Sequence, residues 1–531
     1  MSKATKPGGL QLRGLPLNGR NAALRALLLV DQGMSAQQAL AAVLDGPVAR
    51  QEGASLSGQD KALCTELVYG CLRAEIRLRF ILSFVLSKPQ GLPPAMLTVL
   101  ALAVYGLLFQ DKVPAHAVIH EAVEQVRRLF GQGLARVANG ALRSLQRMGQ
   151  APLELAFYDT KPGGKKRLAH GADSDGFFGQ CVFYSVPLWI GTLWRDAYGE
   201  QAALALMRRA FERPYSALRI NPAHPQANQL YAALAAGEEP LAAHGQSLPD
   251  APQPCSPQAT GDGALQVQMA LGQSHFFQQH PVNANELLIQ PSAPSASDIA
   301  AGKAVAVRIG RWGLAFAPGQ MPRAVLGHEL RHWQALGALS WQSAGSQTAL
   351  LELGLDKWRE PVWDACAGHG GKSMALMEWG VPVGLCTDRS VQRLQGLSGQ
   401  CAALNLPLPV CCLADAARPP VRVWQGHILV DAPCSGLGVL ARRPDIRRRE
   451  PQHLAELEGL QRAILGTLAD YLQQGRELAY ITCTLNPAEN EQAVACVLKS
   501  HNNLRLVRQW QTSHEHGWLE GMYGAVLRNK G

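Results

Sequence analysis

The sequence predicts a multidomain protein in which an all-α domain precedes a doubly wound α/β domain with a parallel sheet. Residues 18–150 place apolar residues at helical spacing and show no strand pattern. From about residue 345 onward, short apolar runs alternate with helical segments, which is typical of strand–helix–strand units. The length of 531 residues also exceeds that of one typical domain.

The individual elements follow from spacing and from capping residues. In the first domain, helices are predicted within 20–44, over 115–130 and over 134–148, and residues 57–60 have the pattern of a helix start. A further helix begins at 186–189, and a short strand is predicted within 215–221. In the second domain, strands are predicted over 361–365, 381–386, 410–413, 427–430 and 478–482, and the clearest helix over 451–472.

Composition suggests where the domains begin and end. Residues 151–175 are rich in Lys, Gly and Pro and are predicted to be a linker, and residues 246–262 are predicted to form a long loop or an insertion. The predicted division is 1–150 for the helical domain, 151–175 for the linker, 176–340 for a subdomain preceding the core, and 341–531 for the α/β domain.

Charge and cysteine content limit the classes of function. The chain has a net charge of +9. Residues 1–150 carry 17 Lys and Arg against 9 Asp and Glu and so account for +8 of it. This basic region favours a polyanionic partner such as nucleic acid. The longest apolar stretch, 95–109, is too short to span a bilayer, and the N-terminus lacks a secretory core. The 12 cysteines include no C-x-x-C pair. A cytoplasmic protein without a membrane span or a metal site is expected.

Two cysteines follow two different predicted strands near the end of the chain. Cys434 lies in the segment Asp-Ala-Pro-Cys-Ser-Gly that begins at Asp431, and Cys483 lies in Tyr-Ile-Thr-Cys-Thr. Both settings are polar and turn-forming. A pair of thiols at strand ends is typical of a site that makes and breaks a covalent bond to its substrate.

A glycine-rich loop follows the first predicted strand of the α/β domain. Its glycines allow the backbone to turn tightly and to approach a ligand at the carboxyl end of the sheet. The phosphate-loop spacing fails, because Cys366 stands where the first glycine is required. The predicted cofactor-binding loop consists of Cys366, Ala367, Gly368, His369, Gly370, Gly371 and Lys372.

Acidic residues end or follow the next two predicted strands. Asp388 is placed to accept hydrogen bonds from ribose hydroxyls, and Asp415 is placed to meet the adenine end of a nucleoside. The loop and the two acids in this order predict a nucleoside-containing cofactor. Without a phosphate loop or a complete G-x-G-x-x-G, S-adenosylmethionine (SAM) fits better than ATP or NAD.

The two cysteines fit a methyl transfer to a pyrimidine. Carbon 5 of the ring is a poor nucleophile, but a thiolate that attacks carbon 6 creates an enamine whose carbon 5 can accept the methyl group of SAM. Loss of the carbon 5 proton and expulsion of the thiolate then restore the ring. One cysteine is the nucleophile and the second assists release, while Asp431 is placed to hydrogen-bond the ring edge.

Residues 361–495 resemble the Sun/RsmB-type RNA (cytosine-5)-methyltransferases, whose bacterial founding members modify small-subunit ribosomal RNA. The segment 431–445 matches the family's DAPCSG and R-x-PD motifs, and 482–491 matches its TCS and P-x-ENE motifs with Thr484 in place of Ser. Segments 60–73 and 135–143 resemble the NusB-like RNA-binding domain found in RsmB.

The resemblance implies the site roles and the partners. It makes Cys483 the nucleophile and Cys434 the releasing cysteine, and it implies that 1–150 binds RNA and that 176–340 contacts RNA. The implied partner is RNA, ribosomal RNA above all, and the implied state is a monomer. The implied SAM-side residues are 366–372, Asp388, Asp415 and Asp431.

The sequence also departs from the family pattern. Gly368-His369 replaces the usual Ala-Pro in the cofactor loop, and Ser343 replaces an Asp that usually follows Gln. These departures leave open a catalytically impaired RNA-binding assembly factor, and transfer RNA is open as an alternative substrate. DNA cytosine-5 methyltransferases resemble the reverse arrangement, with the nucleophile in a Pro-Cys segment like that of Cys434.

Two further patterns need interpretation. His328-Glu-Leu-Arg-His332 matches H-E-x-x-H, but it is isolated and lacks a third ligand, so a surface helix is a better prediction than a zinc hydrolase. An arginine cluster lies close in sequence to Cys434, and we predict that it contacts RNA phosphates rather than forming a solvated face. The cluster consists of Arg442, Arg443, Arg447, Arg448 and Arg449.

Overall fold

The structure, a computed structural model, describes residues 15–46, 56–110, 113–159, 176–236, 306–513 and 518–531. The chain divides into two compact units. The larger unit comprises Met1–Tyr215, Gly345–Ala402 and Leu406–Gly531, and the smaller comprises Ser216–Ala344 and Ala403–Asn405. The loop or insertion predicted over 246–262 lies outside the described residues.

The first part of the larger unit is helical, as predicted. Ser57 caps its third helix, because the Ser57 hydroxyl accepts a hydrogen bond from the Asp60 amide at 3.0 Å. The buried faces of these helices share one apolar core. The helices are α1 (Gly19–Asp31), α2 (Ala36–Leu44), α3 (Gly58–Arg73), α4 (Glu75–Val85), α5 (Pro94–Phe109), α6 (Ala115–Phe130) and α7 (Gln132–Met148), with short 3-10 turns at Pro89–Gly91, Ala151–Leu153 and Leu155–Asp159.

Three more helices of the larger unit follow: α8 (Phe177–Phe183), α9 (Leu188–Tyr198) and α10 (Glu200–Phe211). Their apolar side chains pack with Leu437, Leu440 and Ile446 from the segment that follows Cys434. This core therefore ties the helical part of the larger unit to its sheet.

The larger unit contains a seven-stranded sheet with the order β12-β13-β11-β10-β7-β8-β9. The strands are β7 (Val362–Asp364), β8 (Val383–Asp388), β9 (Val410–Leu413), β10 (His427–Asp431), β11 (Glu477–Thr482), β12 (Leu504–Gln511) and β13 (Tyr523–Asn529). The covering helices are α13 (Ala344–Glu352), α14 (Gly371–Glu378), α15 (Val391–Ala403), α16 (Gln452–Tyr471) and α17 (Glu491–Ser500), with 3-10 turns at Leu355–Lys357, Leu437–Val439 and Pro444–Arg448.

The predicted doubly wound domain is confirmed, but its sheet is mixed rather than purely parallel. β7 to β11 run parallel, whereas β13 pairs antiparallel with both β11 and β12. The sequence missed both strands β12 and β13. β12 is exposed over most of its length and carries arginines, so it lacks the apolar pattern of a buried strand.

The smaller unit contains a four-stranded antiparallel sheet, ordered β2-β3-β1-β6, and a two-stranded ribbon. Its first strand confirms the strand predicted within 215–221. Arg219, which is buried, donates to the Gln342 amide oxygen at 2.6 Å, so this Gln keeps an intramolecular partner although Ser343 follows it. The elements are β1 (Ser216–Ile220), α11 (Ala227–Ala236), β2 (Ala306–Ile309), β3 (Gly313–Phe316), β4 (Ala324–Val325), β5 (His328–Glu329), α12 (Leu330–Ala335) and β6 (Leu339–Trp341).

Arg447 is buried inside the larger unit. Its guanidinium donates to the carbonyls of Ser185 at 2.9 Å, Leu440 at 2.7 Å and Ala210 at 2.5 Å. Burial lowers its pKa to about 9. The prediction that Arg447 contacts RNA phosphates is wrong. Its side chain is buried, and each of its three guanidinium nitrogens donates to a backbone carbonyl.

The other arginines of this cluster also have partners within the chain. Arg448 pairs with Asp31 at 2.9 Å and Glu75 at 2.8 Å, which lie at the end of α1 and the start of α4. Arg442 pairs with Glu520, and Arg443 pairs with Asp445 at 3.2 Å. The cluster thus joins segments of the larger unit, which a reading of local charge did not anticipate.

Replacing Arg447 with Ala should reduce the free energy of unfolding by about 3–5 kcal/mol, because it leaves buried carbonyls without donors. The adjacent Arg448→Ala is the matched control, and it should cost about 1 kcal/mol or less, because its ion pairs are partly exposed. Urea unfolding of the full chain followed by circular dichroism measures both. Equal losses in the two variants would contradict the assignment.

Candidate active site

The site lies where the strand order of the seven-stranded sheet reverses. From β7 the chain proceeds outward through β8 and β9, and it then returns to β10 on the other side of β7. Ligands bind at the carboxyl ends of parallel strands at such a switch point. The glycine loop follows β7, and Cys434 and Cys483 follow β10 and β11, so the fold brings the predicted residues to one edge of the sheet.

The two cysteine thiols are neighbours. Their Sγ atoms are 3.3 Å apart, and the Cys483 amide donates to the Cys434 Sγ at 3.3 Å. Both side chains are half-buried rather than sealed in the core. The structure therefore unites the two predicted cysteines, which are 49 residues apart in the sequence.

The thiols differ in acidity because they share one hydrogen bond. Donation from Cys434 lowers the pKa of Cys483, which nearby Lys372 lowers further, while burial and Asp431 oppose the shift. The same hydrogen bond, burial and the charge on Cys483 raise the pKa of Cys434 well above its usual value. The pair thus favours the thiolate at Cys483 and the thiol at Cys434.

Lys372 and Asp431 form an ion pair beside the thiols. The Nζ of Lys372 lies 2.6 Å from Oδ2 of Asp431, and the lysine is buried while the carboxylate is partly exposed. Burial lowers the pKa of Lys372, but Asp431 and Cys483 outweigh this effect, so its pKa is raised and it stays cationic. A fixed positive charge next to a thiolate is the electrostatic setting of a reactive cysteine.

The glycine loop turns where only glycine is comfortable. Gly368 and Gly370 have φ angles of +56° and +81°, and a Cβ at Gly370 would lie 2.6 Å from Leu397. Gly368 faces open space, since an added Cβ there would meet no atom within 4 Å. The unusual His369 is exposed, and its ring lies over Gly396 of α15, where a Cβ would approach its Nδ1 to 2.7 Å.

Asp388 is hydrogen-bonded to the glycine loop. Its carboxylate accepts from the amides of Gly368 at 2.9 Å and Ser390 at 2.8 Å. Asp415 is half-buried, accepts from the Ala417 amide at 3.0 Å, and lies 3.8 Å from Arg389. Both acids therefore stand after β8 and β9 at the same edge as the loop.

Cys366 is surrounded by acids rather than activated. Burial raises its pKa well above the usual value, and the charges of Asp364, Asp431, Asp388 and Asp415 add to the shift. Burial likewise raises the pKa of Asp364 to about 7, although its carboxylate accepts from the Ser373 hydroxyl. Cys366 consequently remains a neutral thiol and does not compete with Cys483.

Glu489 is a site residue to which the sequence assigned no role. Its side chain is fully buried, and its carboxylate accepts from the Ser435 amide at 2.7 Å and from the Ser435 hydroxyl. Three more donors reach it: Thr484 at 3.1 Å, Asn486 at 3.3 Å and Gln461 at 3.0 Å. One carboxylate thus fixes the residues that directly follow Cys434 and Cys483.

Asn490 secures the second cysteine loop. Its amide oxygen accepts from the Thr482 hydroxyl at 2.6 Å, and its amide nitrogen donates to the Thr484 carbonyl at 3.0 Å. These residues flank Cys483 on both sides. The P-x-ENE pattern was the available signal for Glu489 and Asn490, but sequence spacing does not show which backbone groups they contact.

The H-E-x-x-H segment does not form a zinc-binding helix. His328 and Glu329 lie on β5, and α12 begins only at Leu330, so the predicted surface helix is wrong over its first two residues. The rings of His328 and His332 stack with centroids 4.3 Å apart. Within the described ranges, no group of three or more His, Cys, Asp or Glu side chains is arranged to hold a metal ion.

Comparison with known proteins assigns both parts of the larger unit. Residues 17–147 match the NusB family, and residues 351–522 match the family described as 16S rRNA methyltransferase RsmB/F. Residues 351–522 belong to the RsmB/F methyltransferase family. The predicted NusB-like helical domain and methyltransferase domain are thereby confirmed.

Individual relatives cover almost the whole chain. A probable ribosomal RNA small subunit methyltransferase B of Bacillus subtilis is 28% identical over 91% of this chain and 88% of its own length. The ribosomal RNA small subunit methyltransferase B of Vibrio cholerae is 28% identical over 97% of this chain and 98% of its own. The crystal structure of PH0851 shares the fold with a TM-score of 0.63, 16% identity and coverage of 97% and 99% of the two chains.

No helix among the described residues is long and apolar enough to cross a membrane. The apolar stretch 95–109 lies in α5, and much of this helix is buried in the core.

Iodoacetamide should alkylate Cys483 faster at neutral pH than an ordinary cysteine, because its lowered pKa increases the thiolate fraction. The pH at which the alkylation rate is half-maximal should be lower for Cys483 than for an ordinary cysteine. Mass spectrometry of digests across a pH series measures the rate at each cysteine separately. Cys434→Ala removes the donor and should move the midpoint upward, whereas an unchanged midpoint would contradict the shared hydrogen bond.

Proposed function

We propose that this protein methylates carbon 5 of a cytosine in small-subunit ribosomal RNA, with SAM as the methyl donor and Cys483 as the covalent nucleophile. The observation that carries the proposal is the pair of thiols 3.3 Å apart beside the Lys372–Asp431 ion pair. The names of the relatives from Bacillus subtilis and Vibrio cholerae support ribosomal RNA as the substrate class.

The residues at the sheet edge fit SAM. The glycine loop leaves open space above Gly368, and Asp388 and Asp415 provide carboxylate acceptors after the two neighbouring strands. In this assignment Asp388 accepts from the ribose hydroxyls, and Asp415 lies toward the adenine, while residues 366–372 line the cofactor. SAM supplies an electrophilic methyl group when it is bound.

Attack on the base begins from the shared hydrogen bond. The Cys483 thiolate adds its electron pair to carbon 6, which shifts the ring electrons toward carbon 5. Asp431 is an acceptor and fits the amino group of cytosine, while the Lys372 cation stabilises the negative charge that develops in the ring. The base must be unpaired or flipped out, since carbon 6 is shielded in a stack.

Formation of the carbon–sulfur bond changes the second cysteine. The pKa of Cys434 is raised chiefly by its hydrogen bond to Cys483 and also by the charge on that sulfur. Both causes disappear once the Cys483 sulfur is bonded to carbon. Cys434 then loses its proton to solvent more easily. Once carbon 5 carries the methyl group, the Cys434 thiolate is placed to remove the carbon 5 proton, and the electrons of the broken carbon–hydrogen bond re-form the ring double bond and expel the Cys483 thiolate.

Calorimetry should show SAM binding that Asp388→Ala weakens by about 1–3 kcal/mol, because buried polar groups lose a partner. Asp388→Asn is the matched control, since it keeps an acceptor for the Gly368 amide and separates loss of charge from collapse of the loop. If the intact protein did not bind SAM, the cofactor assignment would be wrong. The loop with Gly368-His369 would then not be a working cofactor-binding loop.

The two cysteine variants should stop the reaction at different stages. Cys483→Ala should abolish both methylation and any covalent RNA adduct, because no carbon–sulfur bond can form. Cys434→Ala should still permit attack and methyl transfer but stall at elimination, so an adduct stable to denaturing electrophoresis should accumulate when SAM is present. Bisulfite sequencing of the RNA from the wild-type reaction locates the methylated cytosine.

The reverse result would exchange the roles. If Cys483→Ala accumulated an adduct and Cys434→Ala did not, Cys434 would be the nucleophile. This would resemble the DNA cytosine-5 methyltransferases, whose nucleophile lies in a Pro-Cys segment. Methylation of transfer RNA but not of ribosomal RNA by the wild-type protein would overturn the substrate assignment and leave the chemistry intact.

A further inference from the structure

The exposed face of α7 carries positive charge that no carboxylate among the described residues pairs with. The helix contains Arg136, Arg143 and Arg147 and has no acidic residue. At 100° per residue, these three positions fall within an arc of about 40°. All three side chains are exposed, so they form one stripe along the helix, opposite the buried Ala and Leu residues.

The partners of these arginines are neutral. Arg143 donates to Gln146 at 3.1 Å and Arg147 donates to Ser144 at 2.8 Å. Across the described residues, none of the three stripe arginines has a carboxylate within ion-pair distance. The preceding helix α6 differs, because its Arg127 and Arg128 both pair with Glu124, whose pKa the Arg128 hydrogen bond lowers.

Other basic side chains of the helical region are also paired. Lys61 lies 2.9 Å from Asp45, and Arg79 lies 2.9 Å from Glu75. Glu121 of α6 is already occupied by Arg20 at 2.9 Å. Within the described ranges, these basic side chains thus have carboxylate partners, unlike the three arginines of α7.

Gly140 adds a second, independent observation. It lies in the middle of α7, about 40° from Arg136 around the helix axis. A Cβ at this position would meet no atom within 4 Å, so packing does not require glycine. A glycine in a helix interior costs stability relative to alanine, and a close approach of another backbone is one purpose that offsets this cost.

We infer that Arg136, Arg143 and Arg147 bind the phosphate backbone of the RNA substrate, with Gly140 allowing the backbone to approach the helix. Guanidinium groups without competing carboxylates suit phosphate oxygens, which they bind in a bidentate manner. The inference rests on the proposed RNA substrate and adds the surface that holds it. It concerns affinity and orientation rather than recognition of base sequence.

The test is the salt dependence of RNA binding by the full chain. Fluorescence anisotropy with a labelled small-subunit ribosomal RNA transcript gives the slope of log affinity against log salt, to which each phosphate contact contributes about 0.7–0.9. The variant Arg136→Gln/Arg143→Gln/Arg147→Gln should make this negative slope shallower by about 2–3. Between 50 and 200 mM salt, wild-type affinity should then fall roughly twenty-fold more than that of the variant.

The matched control is Arg127→Gln/Arg128→Gln, which removes two exposed arginines that share the Glu124 carboxylate. It should change the slope less than the α7 variant does. An unchanged slope in the α7 variant would overturn the inference, and would assign the stripe to a solvated face or to an acidic protein partner. Wild-type protein that does not bind the transcript at all would instead contradict the proposed function.

Gly140 is tested separately. Gly140→Gln adds bulk without removing charge, so it should weaken RNA binding several-fold while the thermal midpoint stays at or above the wild-type value, since Gln is the better helix former. Wild-type affinity in Gly140→Gln would overturn the close approach at this position.

Discussion

The buried carboxylate of Glu489 holds together the two loops on which the candidate chemistry depends. It accepts hydrogen bonds from Ser435 and Thr484, which directly follow Cys434 and Cys483, and from Asn486 and Gln461. A carboxylate is suited to this position because it offers several acceptor sites and no competing donor. The distance of 3.3 Å between the two sulfur atoms follows from this anchoring.

Fixing the sulfurs this closely makes their protonation states interdependent. A single proton shared by Cys434 and Cys483 favours one thiolate and one thiol, and the hydrogen bond from Cys434, aided by the Lys372 charge, favours the thiolate at Cys483. Bond formation at Cys483 would release Cys434 from this constraint. The same hydrogen bond would therefore prepare the nucleophile before the reaction and the second cysteine after it.

Arginine has two opposite uses in the larger unit. Arg447 is buried and donates hydrogen bonds to backbone carbonyls. Arg448 pairs with carboxylates of α1 and α4. The arginines of α7 have no such partners among the described residues, and they face solvent. Arg447, which was expected to meet RNA beside the cysteines, thus stabilises the unit, whereas the arginines of α7 remain exposed.

The sequence by itself determined the order of the helical and α/β parts, most strand positions and the residues at the sheet edge, because apolar spacing and turn residues are local signals. It also identified Cys434, Cys483, Asp431 and the glycine loop. Only the tertiary structure decided that β12 and β13 join the sheet antiparallel, that Arg447 is buried, and that Glu489 links the cysteine loops. Those features depend on contacts between residues far apart in the chain. A local sequence pattern does not show which distant groups a side chain will contact in the folded protein.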